Sequence, residues 1–154
     1  MRLLISGGPG SGCTSTAHAV GQRLGLPVFD SDSYFHKPTD PPFQEQYSPE
    51  ERRTLLASDL SAQPNLILSG SVATWGLDAL APTHGVFLSV SKTTRLQRLL
   101  KRQRCQFGRR IDAGGDMAEE HEAFMLWSAG YEEGSGIGRN IQMDRAFLQS
   151  HCQQ

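Results

Sequence analysis

The residues best suited to chemistry stand near the amino terminus, in ISGGPGSGCTST, Ile5 to Thr16. Gly7, four residues, Gly12, one residue and Thr14 is the spacing of a phosphate-binding loop. Such a loop between a strand and a helix turns the backbone N–H groups of Gly7, Gly8, Gly10, Ser11, Gly12, Cys13, Thr14 and Ser15 toward one anion. The Thr14 hydroxyl then falls where a magnesium ligand is needed. One position departs from the pattern: where the motif carries a lysine, this chain has Cys13. The ammonium that reaches the β- and γ-phosphates is therefore missing. The plain alternative is an ordinary glycine-rich turn.

A thiol in such a cradle has a chemistry of its own. At a helix N-terminus Cys13 is expected to favour the thiolate and to be alkylated faster than Cys105 or Cys152. Replacement cations are few in kind, since the chain has three lysines, Lys37, Lys92 and Lys101, against twelve arginines. Asp30 and Asp32 form a second chemical group. They follow a short apolar run and open toward the crevice at the carboxyl ends of parallel strands. Two carboxylates there either serve a metal and an acceptor or cap a turn.

The elements that must hold these groups alternate along the chain. Leu3 to Ser6 is an apolar run closed by glycines, and Ala17, Val20 and Leu24 recur at helical spacing after it. Pro27 to Phe29 makes a second short strand. HKPTDPPFQEQYSP is too rich in proline for regular structure. Ser48, Pro49 and Glu51 spell a helix start with a reciprocal cap, and Asn65 to Ser69 and Gly85 to Val90 are further strands. In SKTTRLQRLLKRQR, the side with Leu96, Leu99 and Leu100 is expected to face the core and the arginines to face away. FGRRIDAGGD is expected to be mobile. Helices follow at MAEEHEAFMLWSAGY and IQMDRAFLQS. Alternating strands and helices predict an α/β fold with a parallel sheet of four strands, a fifth being left open.

Composition narrows the class. With 154 residues, one domain spanning 1–154 is expected. A net charge of −1 gives no general field for a polyanion, and the basic cluster lacks interleaved aromatic platforms, so nucleic acid is not the expected partner. Three scattered cysteines point to neither a disulfide framework nor a zinc site, and the histidines show no metal spacing. A cytoplasmic protein without a membrane span is expected.

GGPGSGCTST, DSDSYF, PTDPPF, LSGS followed by WG, RLQRLLKRQR, GGDM and FMLWSAGY together resemble a P-loop kinase of the adenylate kinase and shikimate kinase group. They are most similar to the small bacterial proteins labelled AAA-family ATPase or adenylate-kinase-like. The resemblance implies a three-layer P-loop NTPase fold with helices on both faces and a lid at about 101–116. It implies ATP and Mg2+ as cofactors and phosphoryl transfer to a small hydroxyl-bearing or nucleotide acceptor. A pseudokinase-like nucleotide binder with a gated lid is the other reading.

By the same likeness Thr14 and Asp30 serve magnesium, Asp32 orients or deprotonates the acceptor, and Arg102, Arg109 and Arg110 are lid arginines. The bland reading of that basic helix, Arg95 and Arg98 included, is a solvated face. Members of the group often lack the lysine as well, which implies a compensating cation. LILSGS ends in hydroxyls and glycine rather than a second acidic motif. Tyr34 to His36 and Pro41 to Phe43 either wall an acceptor pocket or pack the loop, Ser69 to Ser71 offers hydroxyls, and Trp75, Trp127 and Tyr131 are core or lid-hinge residues. The group's last strand is missing before HCQQ, so an open edge, and a monomer or a homodimer, are both compatible.

Overall fold

In a computed structural model, residues 1–76, 82–134 and 138–152 are described. The elements are β1 (Arg2–Gly7), α1 (Cys13–Leu24), β2 (Val28–Asp30), α2 (Asp32–Phe35), α3 (Pro49–Ser61), β3 (Leu66–Ser69), β4 (His84–Leu88), α4 (Lys92–Phe107), a 3-10 turn (Gly108–Ile111), α5 (Ala118–Ala129) and α6 (Ile141–His151). Four strands pair in parallel in the order β2-β3-β1-β4. The chain thus has the α/β P-loop NTPase architecture.

The period-two alternation of a strand sends neighbouring residues to opposite faces. Leu4 packs with Leu56, Leu60, Trp75, Phe147 and Leu148 beneath α3 and α6, whereas Ile5 packs with Ala17 and Ile67 beneath α1. That is why β1 and β3 read as unbroken apolar runs: both faces are covered. Each fully buried leucine or isoleucine here contributes about 1.5–3 kcal/mol of apolar transfer. The start of α3 carries both bonds of its reciprocal cap, Ser48 N–H to Glu51 at 2.6 Å and Glu51 N–H to Ser48 at 3.2 Å.

Two local expectations change. On α4 the buried positions are Arg95, Leu99 and Gln103, while Leu100 is 45% exposed. A helical wheel assigns charged residues to water, but Arg95 has a carboxylate partner 37 residues later, Glu132. The glycine-rich segment after α4 folds as the 3-10 turn, with Ile111 buried and Met117 N–H bonded to Arg110 O at 3.0 Å. α2, a single turn, is too short for any periodicity to reveal.

Candidate active site

Gly7, Asp30 and Ser69 end three neighbouring strands, and the register pairs Asp30 and Ile5 with Ser69. The loop from Gly8 to Gly12 leaves β1 and turns back, with Ser11 N–H bonded to Gly8 O at 3.0 Å. Gly12, the N-cap of α1, has φ 96°, and an added Cβ would meet no atom within 4 Å. Glycine is needed there for the left-handed backbone. Gly10 combines φ 83° with close approach, since a Cβ would lie 2.6 Å from Arg95 O. No side chain caps α1, and its first turn holds no acidic residue. Among the described residues the positive end of the helix has no side-chain acceptor, as an anion site requires.

Cys13 departs from the expected thiolate. Burial pushes its thiol up, outweighing the Ser11 hydroxyl at 3.2 Å and the charge of Arg139, with Asp144 adding to the rise. The helix end alone cannot offset the loss of water around the sulfur.

Thr14 Oγ1 donates to Asp30 Oδ2 at 2.8 Å, and Asp30 Oδ1 accepts Asp32 N–H at 3.0 Å. Asp30 therefore ties the start of α1 to the turn that begins α2. Asp32 is open to solvent at the mouth of the cleft but has protein on most sides. The surrounding protein first, and Asp30 second, push its carboxyl above the usual range, while Arg139, His36 and Arg102 pull the other way. A carboxyl raised in this manner is suited to exchanging a proton with an acceptor.

Above these carboxylates, Arg95 reaches under the phosphate loop. Its guanidinium donates to Pro9 O at 2.7 Å and to Glu132 at 2.5 Å, and it lies 5.3 Å from the centre of the Tyr131 ring. Tyr131 in turn crowds Gly8, whose added Cβ would lie 2.8 Å from the ring. The Tyr131 hydroxyl donates to Asp144 at 2.6 Å, and Ser71 donates to the other oxygen of the same carboxylate. Asp144 is 2% exposed. Arg139 completes this group, donating to Gly7 O at 2.6 Å with Nε 3.6 Å from Asp144. Arg95, Glu132, Arg139 and Asp144 are the site residues that sequence reasoning missed. Arg139 precedes α6 and Asp144 lies in its first turn, and the only sequence signal was the hydroxyl-ended third strand, which lacks a carboxylate of its own.

The arginines expected on a lid are spread more widely. Arg104 pairs with Asp112, and Arg110 pairs with Asp116 at 2.8 Å and Asp40 at 3.4 Å. Arg102 is exposed yet near enough to act on Asp32, and Arg109 is exposed without an ion pair among the described residues. Lys37 pairs with Glu45 and lies over the Tyr47 ring. The proline-rich loop leans on α4 and α5: Phe43 meets Phe107 edge-on at 6.1 Å, and Gln44 bonds to Glu120 at 3.1 Å. The His36 ring stands between Phe35 and Phe43, 4.9 Å from each. Tyr34 instead turns inward to Asp59 at 2.7 Å, and Trp75 is core.

The donor set fits magnesium bound with nucleotide. Among the described residues no cluster of three or more His, Cys, Asp or Glu could hold a metal alone. One hydroxyl and one carboxylate, 2.8 Å apart beside an uncapped helix end, suit a hard cation that keeps waters and phosphate oxygens as its other ligands. A cavity of about 360 Å³ at the far end of α1, lined by His18, Gly21, Gln22 and Leu26, takes no part in this arrangement.

Sheet order, loop and helix start give the chain the α/β fold of the P-loop NTPases. A shikimate kinase from Bacteroides thetaiotaomicron superposes with a TM-score of 0.51 at 19% identity, over 97% of this chain and 95% of that one. A gluconokinase from Sinorhizobium meliloti 1021 gives 0.49 at 17% identity, over 97% and 93%. No family model matches the chain. It is 33% identical over 130 residues to the uncharacterized protein YqaC of Bacillus subtilis (strain 168), covering 83% of this chain and 71% of that one. The chain belongs to the YqaC family. Among the described residues no helix is long and apolar enough to cross a membrane.

Proposed function

We propose that this protein is a cytoplasmic, ATP- and magnesium-dependent phosphotransferase acting on a small molecule that bears a hydroxyl or phosphate, as a monomer or homodimer. The observation that carries the reading is the Thr14–Asp30 bond of 2.8 Å at the uncapped start of α1, with Asp32 adjoining. It joins a phosphate cradle, a metal position and a proton acceptor in one crevice.

The N–H groups of Gly8, Gly10, Gly12, Cys13, Thr14 and Ser15 hold the phosphates, and Thr14 and Asp30 hold magnesium or its water shell. Bound magnesium supplies charge neutralisation on the phosphate oxygens. Asp32 accepts the proton of an acceptor hydroxyl as that oxygen bonds to the γ-phosphorus. The bond from phosphorus to the bridging oxygen breaks, and its electron pair leaves on ADP. Arg102, Arg109 and Arg110 lie on the lid side, where planar guanidinium forks suit oxygens. The lost lysine favours a second reading, a nucleotide-binding protein without turnover.

A screen for magnesium-dependent ATP consumption, run across nucleoside monophosphates, sugars and small hydroxy acids and paired with calorimetry, separates the two. Acceptor-dependent ADP release supports transfer. Tight ATP binding with no release under any acceptor supports the second reading. No ATP binding at millimolar concentration removes both.

A further inference from the structure

We propose that Arg139 supplies at the phosphate loop the positive charge that position 13 lacks, and that the buried Asp144 carboxylate holds it there. The inference rests on the phosphotransferase reading and deepens it by naming the cation of that site.

Arg139 precedes α6, yet its Nη2 donates to the carbonyl oxygen of Gly7, the first glycine of the loop, at 2.6 Å. Its Nε is buried, has no hydrogen bond, and sits 3.6 Å from Asp144 Oδ2. The guanidinium carbon is 5.7 Å from the centre of the Tyr131 ring. Nη1 makes no hydrogen bond among the described residues. A buried N–H without an acceptor is costly and uncommon, and such groups concentrate where function requires them.

The position is also the right one electrostatically. Arg139 brings a full positive charge to the Gly7 carbonyl, where β1 enters the loop, with Asp144 Oδ2 3.6 Å from its Nε. Several other cations are committed elsewhere, Arg95 to Glu132 and Pro9, Arg104 to Asp112, Arg110 to Asp116 and Asp40, and Lys37 to Glu45, while Arg102 and Arg109 point into solvent from exposed positions. Asp144 is already bonded by Ser71 and Tyr131, so its meeting with Arg139 is longer than a direct hydrogen bond and leaves guanidinium donors free. Arg139 makes and breaks no bond; it offsets charge gathering on the β- and γ-phosphate oxygens as the phosphoryl group leaves. Asp144 is a positioning residue.

The test uses Arg139→Gln and the double variant Cys13→Lys/Arg139→Gln, with ATP and magnesium as the probe. Calorimetry gives affinity, and ADP release, to water or to whichever acceptor the screen identifies, gives the rate. Arg139→Gln is expected to slow ADP release on the order of 10²-fold while changing ATP affinity less than about tenfold, and the added lysine to recover at least about tenfold.

Should Arg139→Gln unfold because Asp144 loses its cation, Asp144→Asn/Arg139→Gln removes the unpaired charge and carries the same measurements. Wild-type rates in the glutamine variant, or no recovery by the added lysine, overturn the role of Arg139 and leave the phosphotransferase reading standing. Absence of ATP binding by the wild type overturns both.

Discussion

Thr14 Oγ1 and Asp30 Oδ2 lie 2.8 Å apart, although they come from a helix start and a strand end separated in the sheet by β3. Their bond draws the first turn of α1 against β2. If this pair holds magnesium, Thr14→Val should weaken ATP binding with magnesium by about 10- to 100-fold and leave metal-free binding nearly unchanged. Paired calorimetric titrations check this; equal loss in both would make the bond merely structural.

Asp32 has its carboxyl pushed above the ordinary range, first by surrounding protein and then by Asp30. A folded-state value above the unfolded one means that stability is greatest below the unfolded value and falls as pH rises through the folded value. Asp32→Asn should therefore melt at a higher temperature than wild type at pH 7, with the gap closing on acidification. Turnover of the same variant should fall far more than its ATP affinity, because the lost group acts on the acceptor. The wild-type rate should rise with pH through a carboxyl titrating above its usual range, and a profile lacking that limb would remove Asp32 as the proton acceptor.

Arg95 is 1% exposed and bonded to Glu132 while supporting Pro9. Removing one member of such a pair strands the other charge in protein. Glu132→Gln should lower unfolding free energy by ~3 kcal/mol in denaturant titrations. ATP binding should weaken with it, since Pro9 belongs to the loop. Unchanged stability would show that water replaces the carboxylate without cost.

Cys105 is exposed and Cys13 is half-buried with its thiol pushed up. Timed alkylation followed by mass spectrometry should label Cys105 first, and ATP with magnesium should slow Cys13 further. If Cys13 reacts fastest in the nucleotide-free protein, the helix N-terminus outweighs burial after all.

Much of this architecture is local and therefore legible in the chain. Apolar runs closed by glycine mark β1 and β3, Ser48, Pro49 and Glu51 mark the start of α3, and the glycines at 7 and 12 with Thr14 mark the loop. Each of these signals is set by backbone conformation or by neighbours a few residues away, which a sequence displays directly. The proximity of Asp30 to Thr14 was also accessible, because parallel strands place their carboxyl ends on one edge.

The cation beside the loop is a different kind of fact. Arg139 and Gly7 are 132 residues apart, Arg95 and Glu132 are 37 apart, and Asp144 meets Ser71 from across the fold. Composition alone counted Arg95 as solvated and passed over Arg139, because a charged residue reads as exposed until its counter-ion is known. By itself the sequence determined a strand, a phosphate cradle, a helix and the absence of lysine at position 13. Only the tertiary structure decided which charges are buried beside that cradle, since burial of an ion depends on a partner that chain folding, not chain order, brings within reach.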